Sequence, residues 1–181
     1  MTSRDVMNLT ETHTFDSPLG PLLLAATPLG LCGVWFVAQK HMPSAARQAS
    51  WQPNPDNPLL RDTVNQLTAY FSARLRQFDL PLDLSTGTAF QQAVWQALSK
   101  IPLGQTQSYG AMARQLNKPT ASRAVGAAVG RNPISIVIPC HRVLGAAGHM
   151  TGYAGGLWRK EALLALEGHL PPTSPSVTAV F

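Results

Sequence analysis

Cysteine is scarce in this 181-residue sequence, which contains only Cys32 and Cys140. Two cysteines cannot build the disulfide framework of a small secreted protein, and their separation does not match the paired spacing of a zinc ligand set. We therefore expect free thiols, a reducing compartment and no bound metal. Four of the five histidines also lie at no recognisable ligand spacing, namely His13, His41, His149 and His169.

Charged residues and long apolar runs are also few. Charged side chains make up 13% of the chain and hydrophobic ones 45%, a balance typical of a globular protein. No apolar run approaches the roughly 18 residues that a membrane span requires, and residues 1–6 lack the basic-then-apolar order of a secretory signal. We therefore expect a cytoplasmic protein that binds no membrane and forms one large domain or two small ones.

The few charges are unevenly divided along the chain. Residues 1–87 carry a net charge of −1, whereas residues 88–181 carry +6, with Glu161 and Glu167 as the only acidic side chains. A basic half favours a polyanionic partner, because neutralising phosphates releases counterions and steers encounter. A solvated basic surface without a partner would give the same count, so charge alone leaves both interpretations open.

Turn residues and apolar segments near the N-terminus predict a small antiparallel sheet. The expected strands are 13–15, 21–26 and 31–36, and the polar, proline-rich residues 37–58 are expected to form a surface excursion. A helix should begin at Asn57-Pro58, because the apolar residues that follow recur at helical spacing. These residues are Leu60, Val64, Leu67 and Phe71.

Composition also predicts the domain boundaries. Residues 1–80 are expected to form an α/β domain, residues 81–87 a linker, and residues 88–170 a mainly helical second domain. The second domain should open on a helix, since Thr88 and Gln91 have capping-box spacing. Residues 171–181 are poor in core formers and are expected to be a disordered tail.

A helix-turn-helix pattern follows in the second domain. Ser108 can cap a helix over residues 109–116, residues 117–120 can turn the chain, and residues 121–129 can form a second helix rich in small side chains. Arg123 is the one large polar residue of that second helix. Many packed helix pairs share this pattern, so by itself it leaves DNA binding as one interpretation among several.

The segment Ile138-Pro139-Cys140-His141-Arg142-Val143 places a thiol beside an imidazole. Thiols are mostly protonated at neutral pH, and an imidazole can take the proton and leave a reactive thiolate. Cys140 is therefore a candidate nucleophile. The alternative is a small buried apolar residue, which is the commoner state of a free cysteine, and the local residues alone leave both open.

Six short blocks in this order resemble the O6-alkylguanine-DNA alkyltransferases, especially their bacterial single-function members. The resemblance is close over residues 88–168 and general before that. It implies a ribonuclease-H-like α/β N-terminal domain with a small antiparallel sheet plus a helix, followed by a mainly helical DNA-binding and catalytic domain with a helix-turn-helix. The blocks are residues 108–110 (SYG), 122–126 (SRAVG), 131–133 (RNP), 138–143 (IPCHRV), 151–156 (TGYAGG) and 166–168 (LEG).

The resemblance implies double-stranded DNA containing O6-alkylguanine as the partner, bound through the minor groove. Arg123 matches the arginine that replaces an extruded nucleotide in the base stack, and extrusion is required because the O6 substituent lies within the duplex. Arg131 is a phosphate contact or a solvated charge. The expected DNA contacts are Ser122, Arg123, Ala124, Gly126, Ala127 and Arg131.

The resemblance also implies the chemistry. Cys140 would accept the alkyl group irreversibly, His141 would act as base through a water, and Glu167 would orient the imidazole. Tyr109 would assist rotation of the nucleotide and donate a hydrogen bond to the base. No cofactor is implied, and a monomer would be consumed by one alkyl group. The expected substrate contacts are Tyr109, Asn132, Val143, Tyr153 and Ala154, with the backbone N–H of Ala154 at O6 and the carbonyls of Cys140 and Val143 at the exocyclic amine.

Several residues keep a second interpretation. Tyr109 could be an ordinary aromatic residue at a helix start, and Glu167 could be a carboxylate on a helix surface. Arg142 is interpreted as a structural ion-pair partner rather than a catalyst. Cys32 is interpreted as a buried strand residue, and the zinc site of some relatives has no full counterpart here.

Two other functions compete with alkyl transfer. One is a non-catalytic protein that binds alkylated guanine and recruits other repair factors, against which Cys140 argues. The other is a methylation-responsive transcription factor, for which the chain has no additional sensing domain. The sequence leaves open whether O4-alkylthymine is accepted.

Overall fold

A computed structural model describes residues 9–169 of the chain, so the predicted tail at residues 171–181 lies outside the described residues. Its N-terminal part is a four-stranded sheet. The strands are β1 (Glu11–Ser17), β2 (Gly20–Thr27), β3 (Gly30–Phe36) and β4 (Gln52–Pro53). They lie in the order β3-β2-β1-β4. The three predicted strands are present and antiparallel, and the short fourth strand pairs parallel with β1.

The predicted surface excursion contains that fourth strand and a short helix, α1 (Ala45–Gln48). The strand has only two residues, with Gln52 opposite Glu11 and Pro53 opposite Thr12. Such a short pairing leaves no alternation in the sequence, which is why the strand was not expected. The sheet is therefore mixed rather than purely antiparallel.

The predicted helix is present as α2 (Pro58–Phe71), and it packs on the sheet. It begins where expected because the side chain of Asn57 accepts a hydrogen bond from the backbone of Leu60 at 3.0 Å, and proline fits the first helical position. Its apolar face contains Leu67 and Tyr70, which are buried.

Strand β3 holds the two halves of the chain together. On one side, Leu31 N donates to Pro81 O at 2.8 Å, which fixes the predicted linker against the strand. On the other, Val34 N donates to Pro133 O at 2.9 Å, which fixes the segment that leads to Cys140. Residues from both halves join one continuous hydrophobic core. The approach to the candidate nucleophile is thus anchored on the N-terminal sheet.

Residues 88–169 contain four α-helices, and the predicted caps form. Thr88 and Gln91 make the capping box of the first, and Ser108 caps the second through Ala111 N at 3.1 Å. The second and third pack as the predicted helix-turn-helix. The helices are α3 (Ala89–Leu98), α4 (Tyr109–Gln115), α5 (Ser122–Gly130) and α6 (Leu157–Leu166).

Two short parallel strands connect the helix-turn-helix to the segment that follows Cys140. They are β5 (Gln107–Ser108), just before α4, and β6 (Val143–Leu144), just after a 3-10 turn over Cys140–Arg142. None of the helices within residues 9–169 is long and apolar enough to cross a membrane.

Because β3 contacts residues 81–83 closely at Gly30, a side chain at this position is predicted to destabilise the protein. A Cβ at this position would lie 2.7 Å from Pro81 O, and the backbone φ of +155° is also unfavourable for a side chain. We expect Gly30→Ala to lower the free energy of unfolding by at least about 2 kcal/mol, measured by urea denaturation.

Gly130→Ala is the matched control, because a Cβ there meets nothing within 4 Å at the end of α5. It should leave stability unchanged or raise it by up to about 1 kcal/mol. Equal losses in the two variants would contradict the proposed clash.

Candidate active site

Cys140 opens the 3-10 turn and is 6% exposed. The chain reaches it through a tight turn at residues 134–138, in which Ser135 bridges to Ile138 and Cys140 N donates to Ile138 O at 2.8 Å. Within that turn Ile136 is buried with a φ of +73°, a conformation that β-branched residues rarely adopt. Strained backbone of this kind persists only where the surroundings enforce it.

Asn132 supplies that enforcement. Its side-chain oxygen accepts from Ile134 N at 3.0 Å, while its amide nitrogen donates to Ile138 O at 2.8 Å and to the Sγ of Cys140 at 3.1 Å. A single buried amide therefore closes the turn and also touches the thiol. Its predicted contact with substrate remains a prediction.

The thiol of Cys140 is protonated at rest. Burial raises its pKa above the ordinary value, while the hydrogen bond from Asn132 and the positive charge of Lys160 act in the opposite direction without overcoming burial. The deprotonated form would thus need a base nearby. Cys32, in β3, is also buried, and burial raises its pKa to about 11.

His141 is fully buried next to the thiol residue, and its Nε2 lies 2.8 Å from Oε1 of Glu167. Because an ionised carboxylate only accepts hydrogen bonds, Nε2 carries the proton and Nδ1 is left with a lone pair. Nδ1 has no hydrogen-bond partner within residues 9–169. Burial lowers the pKa of His141, although Glu167 opposes the shift, so the imidazole is neutral and can accept a proton.

Glu167 is the C-cap of α6 and its side chain is buried, so it is not the surface carboxylate that was one interpretation of the sequence. Arg142 donates to both carboxylate oxygens at 2.9 Å, which confirms its interpretation as an ion-pair partner. Tyr70, from α2, donates to Oε1 at 2.7 Å. Burial alone would raise the pKa of Glu167, but His141 and Arg142 hold it well below its ordinary value.

Lys160 was not predicted as part of the site. It is fully buried on α6 and donates to Val143 O at 2.6 Å and to Thr151 O at 2.7 Å. Burial lowers its pKa to about 8. The carbonyl of Val143, expected to accept from the guanine amine, therefore already accepts a hydrogen bond from an ammonium group. In the sequence Lys160 is one of several polar residues on a helix, with no local signal of burial.

The other predicted substrate contacts belong to two further elements, the start of α4 and the 151–156 loop. Tyr109 is half-buried at the start of α4, with its ring against Gly126 of α5. Tyr153 is half-buried with its hydroxyl enclosed, and burial raises the pKa of that hydroxyl well above its ordinary value. The carbonyl of Ala154 accepts from Lys40 N at 3.1 Å, which ties the 151–156 loop to the N-terminal domain.

The predicted DNA contacts on α5 share its outer face, apart from Arg131. Arg123, Ala124 and Ala127 are exposed, while Ser122 and Gly126 are half-buried. Arg131 is the C-cap of α5, at the opposite end from Arg123. It lines a cavity of about 280 Å³ together with side chains from the N-terminal domain and α3. These include Arg47, Trp35, Trp51 and Trp95.

Within residues 9–169 no three histidine, cysteine or acidic side chains come together as a metal site. The arrangement that the structure does bring together is a buried thiol, a neutral imidazole and an ionised carboxylate, beside a helix-turn-helix. Fold and site together are typical of proteins that combine a nucleophilic cysteine with a DNA-binding element.

Comparison with known families agrees with this class. A model of the 6-O-methylguanine DNA methyltransferase ribonuclease-like domain matches residues 12–84, and a model of the DNA binding domain of the same methyltransferase matches residues 89–169. The chain belongs to the 6-O-methylguanine DNA methyltransferase family. The resemblance and the fold class predicted from the sequence are both confirmed.

Individual relatives match over most of their length. A methylated-DNA–protein-cysteine methyltransferase of Mycobacterium leprae is 50% identical over 162 residues, covering 90% of this chain and 94% of that protein. One of Methanosarcina acetivorans is 49% identical over 154 residues, covering 85% and 96%. The crystal structure of Mycobacterium tuberculosis OGT in complex with DNA has a TM-score of 0.82 and 46% identity, covering 93% of this chain and 99% of that one.

The buried ion pair predicts a pH-dependent loss of stability in Glu167→Gln. The variant leaves Arg142 without its carboxylate, so we expect a loss of about 3 kcal/mol at pH 7 by urea denaturation. Because folding depresses the pKa of Glu167, its contribution is complete above the ordinary value of 4.5 and is lost as the pH falls below it. The difference from the unmodified protein should therefore shrink as the pH is lowered below about 5.

Glu161→Gln removes a carboxylate from the same helix, outside this ion pair. It should change stability by less than about 0.5 kcal/mol. A loss in Glu167→Gln that stays constant with pH would contradict the assignment.

Proposed function

We propose that the protein repairs DNA by direct reversal of damage, transferring the alkyl group of O6-alkylguanine irreversibly to Cys140. Its activity is that of a methylated-DNA–protein-cysteine S-methyltransferase, used once per chain. Family membership and the names of relatives at about 50% identity support this activity. Two buried hydrogen bonds carry the assignment of Cys140 as the alkyl acceptor. Asn132 donates to the Sγ of Cys140, and the adjacent His141 is held by Glu167.

The proposed reaction is a displacement at the alkyl carbon. The thiol proton of Cys140 passes to Nδ1 of His141 through a water, the sulfur forms a bond to carbon, and the bond from that carbon to guanine O6 breaks. The electron pair of the broken bond stays on guanine, which regains a proton that the imidazolium can supply. Glu167 keeps the imidazole in the tautomer that can accept the proton. A thioether does not hydrolyse under mild conditions, so the protein is consumed.

The base is proposed to reach the thiol by leaving the duplex. Cys140 is 6% exposed, so a stacked base could not meet it, and extrusion gives the alkyl group access. The exposed small side chains of α5 suit a close approach to the minor groove, with Arg123 filling the space left in the stack. Tyr109 would donate a hydrogen bond to the extruded base, and Ala154 N would bind O6.

The remaining parts of the proposal concern the partner and the setting. The partner is double-stranded DNA that contains O6-alkylguanine, and acceptance of O4-alkylthymine is a question for the same assay. The protein is proposed to act as a monomer in the cytoplasm. A non-catalytic binder of alkylated guanine is the less favoured function, because such a binder would have no need of a buried thiol beside a neutral base.

Transfer of label from DNA tests the reaction directly. A duplex that contains O6-methylguanine with ¹⁴C in the methyl group is incubated with the protein. The radioactivity bound to the protein is measured, and the labelled residue is located by peptide mapping. We expect about one label per chain, on Cys140, and at least a thousandfold lower transfer rate for Cys140→Ser.

Cys32→Ser is the matched control, since Cys32 is the other buried thiol, and it should transfer at a rate close to that of the unmodified protein. Binding of the duplex without label on protein would refute alkyl transfer and favour the non-catalytic binder. Full transfer by Cys140→Ser would refute the choice of nucleophile.

Arg123→Ala separates extrusion from chemistry. We expect this variant to lose about a hundredfold or more in transfer rate from duplex DNA, but less than about threefold in transfer from free O6-benzylguanine. The free base needs no extrusion, and Arg123 lies on the outer face of α5 rather than in the buried site. Equal losses with the two substrates would contradict the role of Arg123.

A further inference from the structure

Tyr70 brings the N-terminal domain into contact with the carboxylate that orients His141. Its hydroxyl donates to Oε1 of Glu167 at 2.7 Å, although the two residues are 97 positions apart in the chain. The same oxygen lies 2.8 Å from Nε2 of His141 and 2.9 Å from an Nη of Arg142. Oε1 therefore has three donors, whereas Oε2 accepts from Arg142 Nε.

We propose that Tyr70 is a positioning residue for the alkyl transfer, which acts through Glu167 to set how readily His141 takes a proton. The proposal rests on the function proposed above, in which His141 is the base. Tyr70 touches neither the thiol nor, on this proposal, the substrate. Its effect passes entirely through the carboxylate.

The physical basis is competition for one oxygen atom. Each hydrogen bond donated to Oε1 draws negative charge from that oxygen and weakens its attraction for a proton on the imidazole. With Tyr70 present, the attraction between Glu167 and a protonated His141 is limited, which favours the neutral imidazole. Without the Tyr70 hydroxyl, the attraction would increase and His141 would protonate at a higher pH.

The Tyr70 hydroxyl stays protonated from acidic to mildly alkaline pH. The residue is 2% exposed, and burial followed by the charge of Glu167 raises the pKa of its hydroxyl well above the ordinary value. It therefore stays a donor throughout. Its ring is fixed by edge and tilted contacts with Phe71 and Phe78, each at 5.4 Å between centroids. Removing the hydroxyl alone leaves these ring contacts in place.

Other ionisable groups face the same site and must be considered with Tyr70. Burial lowers the pKa of His141 most; among the charged groups, Glu167 raises it, whereas Arg142 on the 3-10 turn and Lys160 on α6 lower it. Cys140 and Tyr153 interact electrostatically with Lys160 and Tyr70 respectively. Arg76 is exposed and lines a cavity of about 160 Å³ with Tyr70 and Glu167. A change confined to the Tyr70 hydroxyl leaves every one of these groups present.

A purely structural role for Tyr70 makes a different prediction. In that case the hydroxyl would only fasten α2 to the end of α6, and its loss would lower stability without changing the protonation of His141. The pH dependence of the transfer rate separates the two roles, because it reports the ionisation of the base.

The test uses Tyr70→Phe in the full chain and the free base O6-benzylguanine, so that DNA binding plays no part. The rate constant of transfer to Cys140 is measured from about pH 5 to about pH 9. In the plot of rate constant against pH, the rate falls on the acidic side as His141 becomes protonated. In Tyr70→Phe this acidic limb should lie about 0.5 to 1 pH unit higher than in the unmodified protein. The rate on the plateau above that limb should change by less than about threefold.

Thr63→Val is the matched control. Thr63 is fully buried on α2, about two helical turns before Tyr70, and its hydroxyl donates to Leu59 O rather than to Glu167. This variant removes a buried hydroxyl from the same helix and should leave the acidic limb in place.

A second variant strengthens the hydrogen bond that residue 70 donates, whereas Tyr70→Phe removes it. 3-Fluorotyrosine placed at position 70 alone has a more acidic phenol and donates a stronger hydrogen bond, so the acidic limb should move to lower pH. This variant keeps the ring, the hydroxyl and the packing, so it remains informative if Tyr70→Phe is too unstable to assay.

The outcomes separate this inference from the proposed function. Opposite shifts in the two Tyr70 variants, with none in Thr63→Val, support the positioning role. An unchanged limb in the Tyr70 variants, or an equal shift in Thr63→Val, overturns it while leaving alkyl transfer intact. Absence of transfer in the unmodified protein refutes the proposed function and this inference with it.

Discussion

The carboxylate of Glu167 accepts hydrogen bonds from three other residues, and the arrangement of the buried site depends on it. Tyr70 comes from α2 in the first half of the chain, His141 and Arg142 from the 3-10 turn, and Glu167 from the end of α6. An ionised carboxylate can be buried only where donors replace its hydration, so these elements must assemble together. The same contacts fix the tautomer of His141. One buried carboxylate therefore links the packing of these elements to the protonation of the base.

Burial of the thiol and the imidazole favours the uncharged form of each group. Burial raises the pKa of the Cys140 thiol and lowers the pKa of the His141 imidazole, so both partners are uncharged at rest. Moving a proton between them would create two charges in a region of low dielectric constant, which is unfavourable without further stabilisation. A bound base that accepts negative charge would supply that stabilisation. Such a thiol resists indiscriminate alkylation because its nucleophilic form is rare until substrate is present.

Local signals in the sequence predicted a large part of this fold. Turn residues and apolar segments predicted β1 to β3, and the side chains of Asn57, Thr88 and Ser108 predicted the starts of three helices. Strand β4 and the attachment of residues 81–83 to β3 were not predicted, because they are short parallel contacts between distant segments. A pairing of that kind leaves no periodicity in either segment.

The residues of the candidate site likewise divide into those that local sequence predicts and those that it does not. Cys140 and His141 are adjacent in the chain, so their chemistry could be inferred from a motif. Tyr70 and Lys160 occupy ordinary positions on amphipathic helices, and only their long-range partners, Glu167 and Val143 O, distinguish them. The isolated sequence gives the identity of a side chain and the periodicity around it. It does not give the partner that a buried polar group finds across the fold.

Lys160 sets the net charge of the buried site. Its pKa of about 8 leaves it mostly charged at neutral pH, and Arg142 is a second buried cation. Glu167 is the one buried carboxylate beside them in the described part of the chain. With thiol and imidazole both uncharged, the interior holds one surplus positive charge. Electroneutrality would be reached by a sulfur anion or by a departing base that carries negative charge, so the interior is biased towards chemistry that generates an anion.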